Sequence, residues 1–288
     1  NNYKVVAVTR NIHQKGYILK TQANPGYLEI VELNYFNLEK IQNLLNECSI
    51  CINLIGILFE KKKNTFKNIH DHFPSIISNI CSKKKLKQFI HISALGIDKA
   101  IDSDYAVSKL NGEKKIFNNF SESTVLRPSL VYSVDDNFTT NMMSLLNILP
   151  FFPLYYEGKT KFSPIHVSEM ADIILNIVDK NICSEIIECV GPDVITFREI
   201  IEKLSILINK KKILISLPNI IAKINVTLLE KFPKPLITMD QLRLLKYDNI
   251  LTRENKSNFD LGIKSELKFE DEVKKYAYMW KKGGQYSK

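Results

Sequence analysis

Six short runs of β-branched and other apolar residues, near 4–9, 28–33, 50–55, 87–92, 123–127 and 185–190, alternate with segments of helical periodicity, and this alternation constrains the chain more than any other feature. Strands separated by helices return parallel, so the expected fold class is α/β, a doubly wound parallel sheet with helices on both faces. The helical spacing is clearest from about Asn64 to Ser82, where Phe66, Ile69, Phe73, Ile76, Ile77 and Ile80 form one apolar stripe. Thr196-Phe-Arg-Glu199 reads as a capping box opening a further helix. From about Ile213 onward, helical segments near 218–231, 238–246 and 270–281 replace the alternation and predict a smaller, mostly helical C-terminal cap.

The chain's 288 residues, 45% hydrophobic and 25% charged, suffice for a real core and exclude a disordered or collagen-like chain. The longest apolar stretches are Ile50 to Phe59, too short to span a bilayer, and Asn147 to Tyr156, which Pro150 and Pro153 interrupt. The net charge of +9 invites a nucleic-acid reading, but only five of the 40 basic residues are Arg (10, 127, 198, 243 and 253), and phosphate-reading surfaces recruit Arg forks, so no nucleic-acid partner is expected. The lysine runs at 61–63, 83–85 and 210–212 close apolar segments, as solvated ends do; a patch on an anionic membrane is the weaker reading. Cys48, Cys51, Cys183 and Cys189 lie in or beside apolar segments and read as reduced core residues of a cytoplasmic protein. Cys48-x-x-Cys51 has no second pair to complete a zinc site, so no metal is expected. His70 and His72 flank Asp71 on a helix, where neighbours fan outward, so the three are read as solvated surface.

The chemistry concentrates between residues 89 and 128. Phe89-Ile-His-Ile-Ser-Ala-Leu-Gly96 is a strand that releases Ser93 at its carboxyl end, where open α/β sheets place their sites. Twelve residues later comes Tyr105-Ala-Val-Ser-Lys109, which puts phenol and ammonium on one helix face. The ammonium would lower the phenol's pKa and let Tyr105 shuttle a proton, while the Ser93 hydroxyl polarises a reacting carbonyl or alcohol. Tyr-x-x-x-Lys also occurs at Tyr155/Lys159 and Tyr278/Lys282, but only Tyr105/Lys109 has a strand-end Ser at the required distance.

With these residues the chain resembles an extended or atypical short-chain dehydrogenase/reductase. Within that superfamily it is most similar to the branch containing the nucleotide-binding accessory subunit of respiratory complex I (NADH:ubiquinone oxidoreductase) and its bacterial relatives. The resemblance rests on Ile52-Asn-Leu-Ile-Gly-Ile57, Ser93-Ala-Leu-Gly96, Tyr105 to Glu113, Leu126-Arg-Pro-Ser129 with Tyr132, Phe162-Ser-Pro-Ile-His-Val167 and Met239-Asp-Gln-Leu-Arg-Leu-Leu245, which span nearly the whole chain. It implies a Rossmann-like NAD(P)-binding domain over 1–212, including part of a substrate region at 133–165, and a dependent helical cap over 213–288. It implies Ser93, Tyr105 and Lys109 as the catalytic set, with Lys109 also holding the nicotinamide ribose. Asn53 and Gly56 would lie along the cofactor, and Pro128 and Ser129 would approach its nicotinamide end. Thr9 and Arg10 would end the family's second strand. An Arg there pairs with the 2′-phosphate of the adenine ribose, so NADP is favoured over NAD.

None of the ten glycines forms the Gly-x-x-Gly of a pyrophosphate loop. The resemblance places that loop and the first strand before Asn1, so the sequence is expected to be N-terminally incomplete. The missing strand should lie between segments 4–9 and 50–55, leaving them unpaired and about 9–10 Å apart instead of the 4.8 Å of neighbours. Three functions remain open: a nucleotide-binding accessory protein of a membrane respiratory complex, with quinone or lipid as a further partner, peripheral on the inner face of an energy-transducing membrane; an active NADP-dependent oxidoreductase on a small carbonyl or quinone intermediate; and, more weakly, a nucleotide-sugar epimerase or dehydratase.

Overall fold

The computed structural model describes residues 3–21, 23–34, 37–233 and 235–286. The chain begins β1 (Val5–Thr9), α1 (Ile12–Lys20), β2 (Leu28–Glu32), α2 (Leu38–Leu45), β3 (Ile50–Asn53), α3 (Phe73–Lys83), β4 (Gln88–Ile92), α4 (Asp104–Asn119) and β5 (Ser123–Pro128). It continues through β6 (Val131–Tyr132), α5 (Thr139–Ile148), β7 (Phe151–Leu154), β8 (Lys161–Phe162), β9 (Ile165–His166), α6 (Val167–Asp179) and β10 (Glu185–Cys189). The last part holds β11 (Ile195–Thr196), α7 (Phe197–Leu207), β12 (Ile213–Ser216), α8 (Asn219–Leu229), α9 (Met239–Leu244), β13 (Lys256–Ser257) and α10 (Phe269–Ala277).

The central sheet has the order β13-β10-β5-β4-β3 and is parallel throughout. Its middle strands carry apolar side chains on both faces because both faces are covered. Phe89 of β4 packs with Ile77 and Ile80 of α3 and Ile116 of α4. Its neighbour Ile90 points the other way, with Leu126 and Ile187, onto Ile173 and Ile177 of α6. This is the expected doubly wound arrangement. β1 and β2 form a separate parallel pair, and among the described residues no backbone pairing joins β1 to β3, as expected. The C-terminal part is interleaved with the rest: β12 pairs with β7, β13 edges the central sheet, and α10 shares a core with α5 and α7 through Phe269, Val273, Leu146 and Leu204. Thr196 and Glu199 form the predicted capping box on α7.

The helix predicted over 64–82 is interrupted. Residues Lys67–His72 form a π-helical turn before α3, and the wider turn shifts the phase of the stripe. His70 and Asp71 consequently face inward, against the expectation of solvated surface. His70 has no exposed surface, Asp71 is buried and ion-paired with Lys115 at 2.5 Å, and His72 alone of the three is exposed. Ile76, predicted on the stripe, is turned out. The π turn presses its backbone onto α4 at Gly112, where a Cβ would lie 1.9 Å from the His70 carbonyl oxygen. A Gly-to-Ala change inside a helix ordinarily stabilises by about 0.5–1 kcal/mol. Gly112→Ala should do the opposite, lowering stability by about 1–3 kcal/mol as α4 is pushed off the turn, measured by urea unfolding.

Candidate functional site

The parallel strands deliver their last residues to one edge of the sheet: Asn53 ends β3, Ser93 follows β4 and Pro128 ends β5. α4 brings Tyr105 and Lys109 to the same edge. The Lys109 ammonium donates to the carbonyl oxygen of Ile92 at 3.2 Å and lies over the Tyr105 ring, 5.5 Å from its centroid. Lys109 is almost fully buried, and burial lowers its pKa from 10.5 to about 8, with the Glu113 carboxylate opposing the shift. Beside it, the Ser93 hydroxyl is buried with no hydrogen-bond partner, as is Nε2 of His91.

Two buried histidines frame the ammonium, and their hydrogen bonds define their tautomers. The Ile57 amide donates to Nε2 of His70 at 3.0 Å, so Nδ1 carries the proton and donates to the Ser108 hydroxyl at 3.1 Å; that hydroxyl in turn donates to the Tyr105 carbonyl at 2.8 Å. Burial, and next the charge of Lys109, pull the His70 pKa down to about 3. Asn53 accepts from the Ile55 amide through Oδ1 and donates through Nδ2 to Nδ1 of His91 at 3.0 Å, which leaves the unpartnered Nε2 as the protonated nitrogen. His91 is held well below its ordinary range by burial and by Lys109. Both rings are therefore neutral. Gly56 roofs this pocket, and a Cβ there would come within 3.8 Å of His70 Nε2 and 4.0 Å of Lys109 Nζ.

The structure thus brings together Asn53, Gly56, Ser93, Tyr105 and Lys109. Ser93 and Tyr105 are not hydrogen-bonded to each other, since the Ser93 hydroxyl has no partner. The expectation that Lys109 lowers the Tyr105 pKa is corrected: burial, and then the charge of Asp240, raise it above its ordinary value. Ser129 is engaged, its hydroxyl donating to Asn249 and accepting from the Ser163 amide at 3.1 Å, and the Pro128 carbonyl accepts from the Leu95 amide. Thr9 and Arg10 stand at the carboxyl end of β1, in the two-stranded sheet.

Three groups that sequence reasoning missed hold the site in place. Glu113, one turn beyond Lys109, forms a buried bidentate pair with Arg127 of β5, at 3.1 Å to Nε and 2.7 Å to Nη2. Asp240 of α9 accepts from the amides of Asp104 at 2.7 Å and Tyr105 at 3.1 Å and from the Ser103 hydroxyl at 2.8 Å, satisfying free donors in the first turn of α4. The third is the His70 relay. Glu113 had a signal, its i+4 spacing from Lys109; a contact 136 residues away, as from Asp240 to Asp104, had none. Near this capped end lies a cavity of about 390 Å³ lined by Phe66, Asp104, Phe232, Asp240 and Arg243 among others, and by none of Ser93, Tyr105 or Lys109.

No protein-family model matches the chain. Its fold is a Rossmann-like doubly wound α/β sheet, and the arrangement of these residues resembles that of the short-chain dehydrogenases/reductases. Its sequence is similar to the mitochondrial NADH-ubiquinone oxidoreductase 40 kDa subunit of Neurospora crassa, 26% identical over 261 residues that make up 90% of this chain and 68% of that protein. It is also similar to the mitochondrial NADH dehydrogenase (ubiquinone) 1 alpha subcomplex subunit 9 of Arabidopsis thaliana, 24% identical over 246 residues, 81% of this chain and 61% of that one. Among solved structures, UDP-glucuronic acid 4-epimerase from Bacillus cereus, in complex with UDP-glucuronic acid and NAD, shares the fold at a TM-score of 0.70, with 17% identity over 96% of this chain and 91% of that one.

The buried ammonium yields a pH-dependent prediction. Lys109 has a pKa of about 8 in the folded chain and 10.5 ordinarily, so between these values the unfolded chain binds a proton that the folded chain does not. Stability should therefore rise with pH across that window, and below pH 8 the folded chain carries the full cost of burying the charge. Lys109→Met should stabilise the protein by about 1–3 kcal/mol at pH 7 and lose this advantage by pH 10.5, as read from urea midpoints of both forms.

Proposed function

We propose that the chain is a nucleotide-binding accessory subunit of a membrane respiratory complex and holds a nicotinamide dinucleotide across the carboxyl ends of its parallel strands. The observation that carries this reading is the buried Lys109 ammonium at the sheet edge that also holds the buried, unpartnered Ser93 hydroxyl and His91 Nε2, next to Gly56, whose missing side chain keeps the space within 4.0 Å of the ammonium free of a Cβ. Donors buried without acceptors are costly, and a ligand rich in hydroxyl and carbonyl oxygens would satisfy them. Lys109 would bind the nicotinamide-ribose hydroxyls and Ser93 would address the carboxamide or a reacting carbonyl. Asn53 and Gly56 would line the path of the pyrophosphate and ribose, and Pro128 and Ser129 would back the nicotinamide through their backbone. Thr9 and Arg10 would face the adenine ribose, with Arg10 favouring the 2′-phosphate of NADP. The similarity to mitochondrial complex I subunits supports the respiratory partner and a peripheral place on the inner face of an energy-transducing membrane. Among the described residues no helix is long and apolar enough to cross a membrane.

The second reading, an active NADP-dependent oxidoreductase, has the Ser93, Tyr105 and Lys109 side chains in its favour. A bound nucleotide would supply or accept hydride, and Tyr105 would have to move the proton. The raised pKa of Tyr105 weighs against proton removal by this group at neutral pH and favours the accessory role.

Two measurements test these assignments. NADPH should bind more tightly than NADH by calorimetric titration, and Arg10→Ala should remove the difference; equal affinities would take Arg10 out of the site. Tyr105→Phe should leave nucleotide affinity within about twofold, because the hydroxyl is assigned to proton transfer and not to binding. If the full chain turns over any carbonyl substrate and this variant does not, the catalytic reading replaces the accessory one.

A further inference from the structure

The segment 54–57 that follows β3 has no regular structure, yet side chains pin it at alternate amides. The Ile55 amide donates to Oδ1 of Asn53 at 3.1 Å, and the Ile57 amide to Nε2 of His70 at 3.0 Å. Among the described residues the amides of Leu54 and Gly56, both exposed residues, have no hydrogen-bond partner. His70 reaches the segment from the π turn. Its ring is stacked on Phe66, with centroids 5.4 Å apart, and meets the Tyr105 ring edge-on at 5.0 Å, so packing fixes which nitrogen faces Ile57. The other nitrogen, Nδ1, donates to the Ser108 hydroxyl at 3.1 Å, which donates on to the Tyr105 carbonyl at 2.8 Å. One imidazole thus joins the end of a strand to the helix that carries Tyr105 and Lys109, and each nitrogen makes one of the two joints. An apolar side chain of similar size would fill the space but leave the Ile57 amide without its acceptor and the segment free to take other conformations. A loop already held in one conformation binds its ligand without the entropic cost of being ordered.

Resting on the nucleotide reading above, we propose that His70 is a positioning residue for the dinucleotide: its Nε2 holds segment 54–57 in the conformation that leaves Gly56 and the amides of Leu54 and Gly56 available to ligand oxygens, and its Nδ1 ties that segment to α4. The test separates the two nitrogens. Glutamine places an amide oxygen where Nε2 stands, asparagine reaches only as far as Nδ1, and leucine supplies bulk alone. In calorimetric titration of the full chain with NADPH, His70→Gln should bind within about threefold of the parent, whereas His70→Asn and His70→Leu should each lose about tenfold. A ring that only filled space would rank the variants by bulk, so a His70→Leu variant that melts and binds as the parent does overturns the proposal. Two measurements on the unaltered chain stand whether or not a variant folds. Nitrogen-15 spectra should show His70 as the Nδ1–H tautomer, and the Ile57 amide should exchange with solvent at least about tenfold more slowly than those of Leu54 and Gly56. The Nε2–H tautomer, or equal exchange rates, overturns the proposal. A parent chain that binds no nucleotide overturns the nucleotide reading and the role given to His70 with it; a parent that binds, with His70→Asn and His70→Leu binding as tightly, overturns the positioning role alone.

Discussion

The Lys109 ammonium is taken out of water and given a backbone carbonyl, Ile92 O, as its acceptor, and much of the surrounding architecture holds it there. A buried cation on a helix is stable only if the helix cannot retreat from the sheet and let water in. α4 is fastened at three places. At its middle the missing side chain of Gly112 lets the backbone of the π turn sit directly against it. One turn past Lys109, Glu113 grips Arg127, and neither charge can leave without stranding the other in the interior. At its start Asp240 accepts from the part-buried amides of Asp104 and Tyr105 and from the Ser103 hydroxyl. The Glu113 carboxylate also favours the charged form of the ammonium against the cost of its burial.

The same cation sets the protonation of its surroundings. Next to Lys109, His70 and His91 cannot take up protons near neutrality; both nitrogens of His70 and Nδ1 of His91 are committed by amide or hydroxyl neighbours, which leaves His91 Nε2–H free to donate. The pocket is consequently rich in donors and, below the Lys109 pKa of about 8, presents a fixed pattern of ammonium, hydroxyl and imidazole N–H. Such a surface selects oxygen-rich ligands by geometry and does not change its selection with modest acidification.

Much of this was legible in the sequence, for definite reasons. The strands that deliver Asn53, Ser93 and Pro128 were readable because their short β-branched and apolar runs, at 50–52, 89–92 and 124–126, alternate with helical segments, and Tyr105 and Lys109 because helical spacing converts directly into a shared face. The inward turn of His70 was not, because a π turn rests on packing against α4 and leaves the apolar spacing looking like an ordinary helix. The raised pKa of Tyr105 was not, because the proximity of Lys109 is a local property whereas the opposing burial and the charge of Asp240 are tertiary ones. Ser129 reads as a free hydroxyl until Asn249, 120 residues away, is seen to occupy it.

The cap supplied by Asp240 has a consequence for the order in which this protein is made. Asp104 leaves the ribosome 136 residues ahead of its acceptor. At bacterial to eukaryotic elongation rates of about 5–20 residues per second, the first turn of α4 waits roughly 7–27 s with Ser103 capping the Ala106 amide but no acceptor for those of Asp104 and Tyr105. β13, the edge strand of the central sheet, arrives later still. The cap on the helix that carries Lys109 can therefore be completed only once the C-terminal part folds back and brings Asp240 to the start of α4. A stalled or prematurely terminated chain would display the Tyr105–Lys109 face without the carboxylate that organises it, a surface for chaperones to recognise and for ligands to pass by.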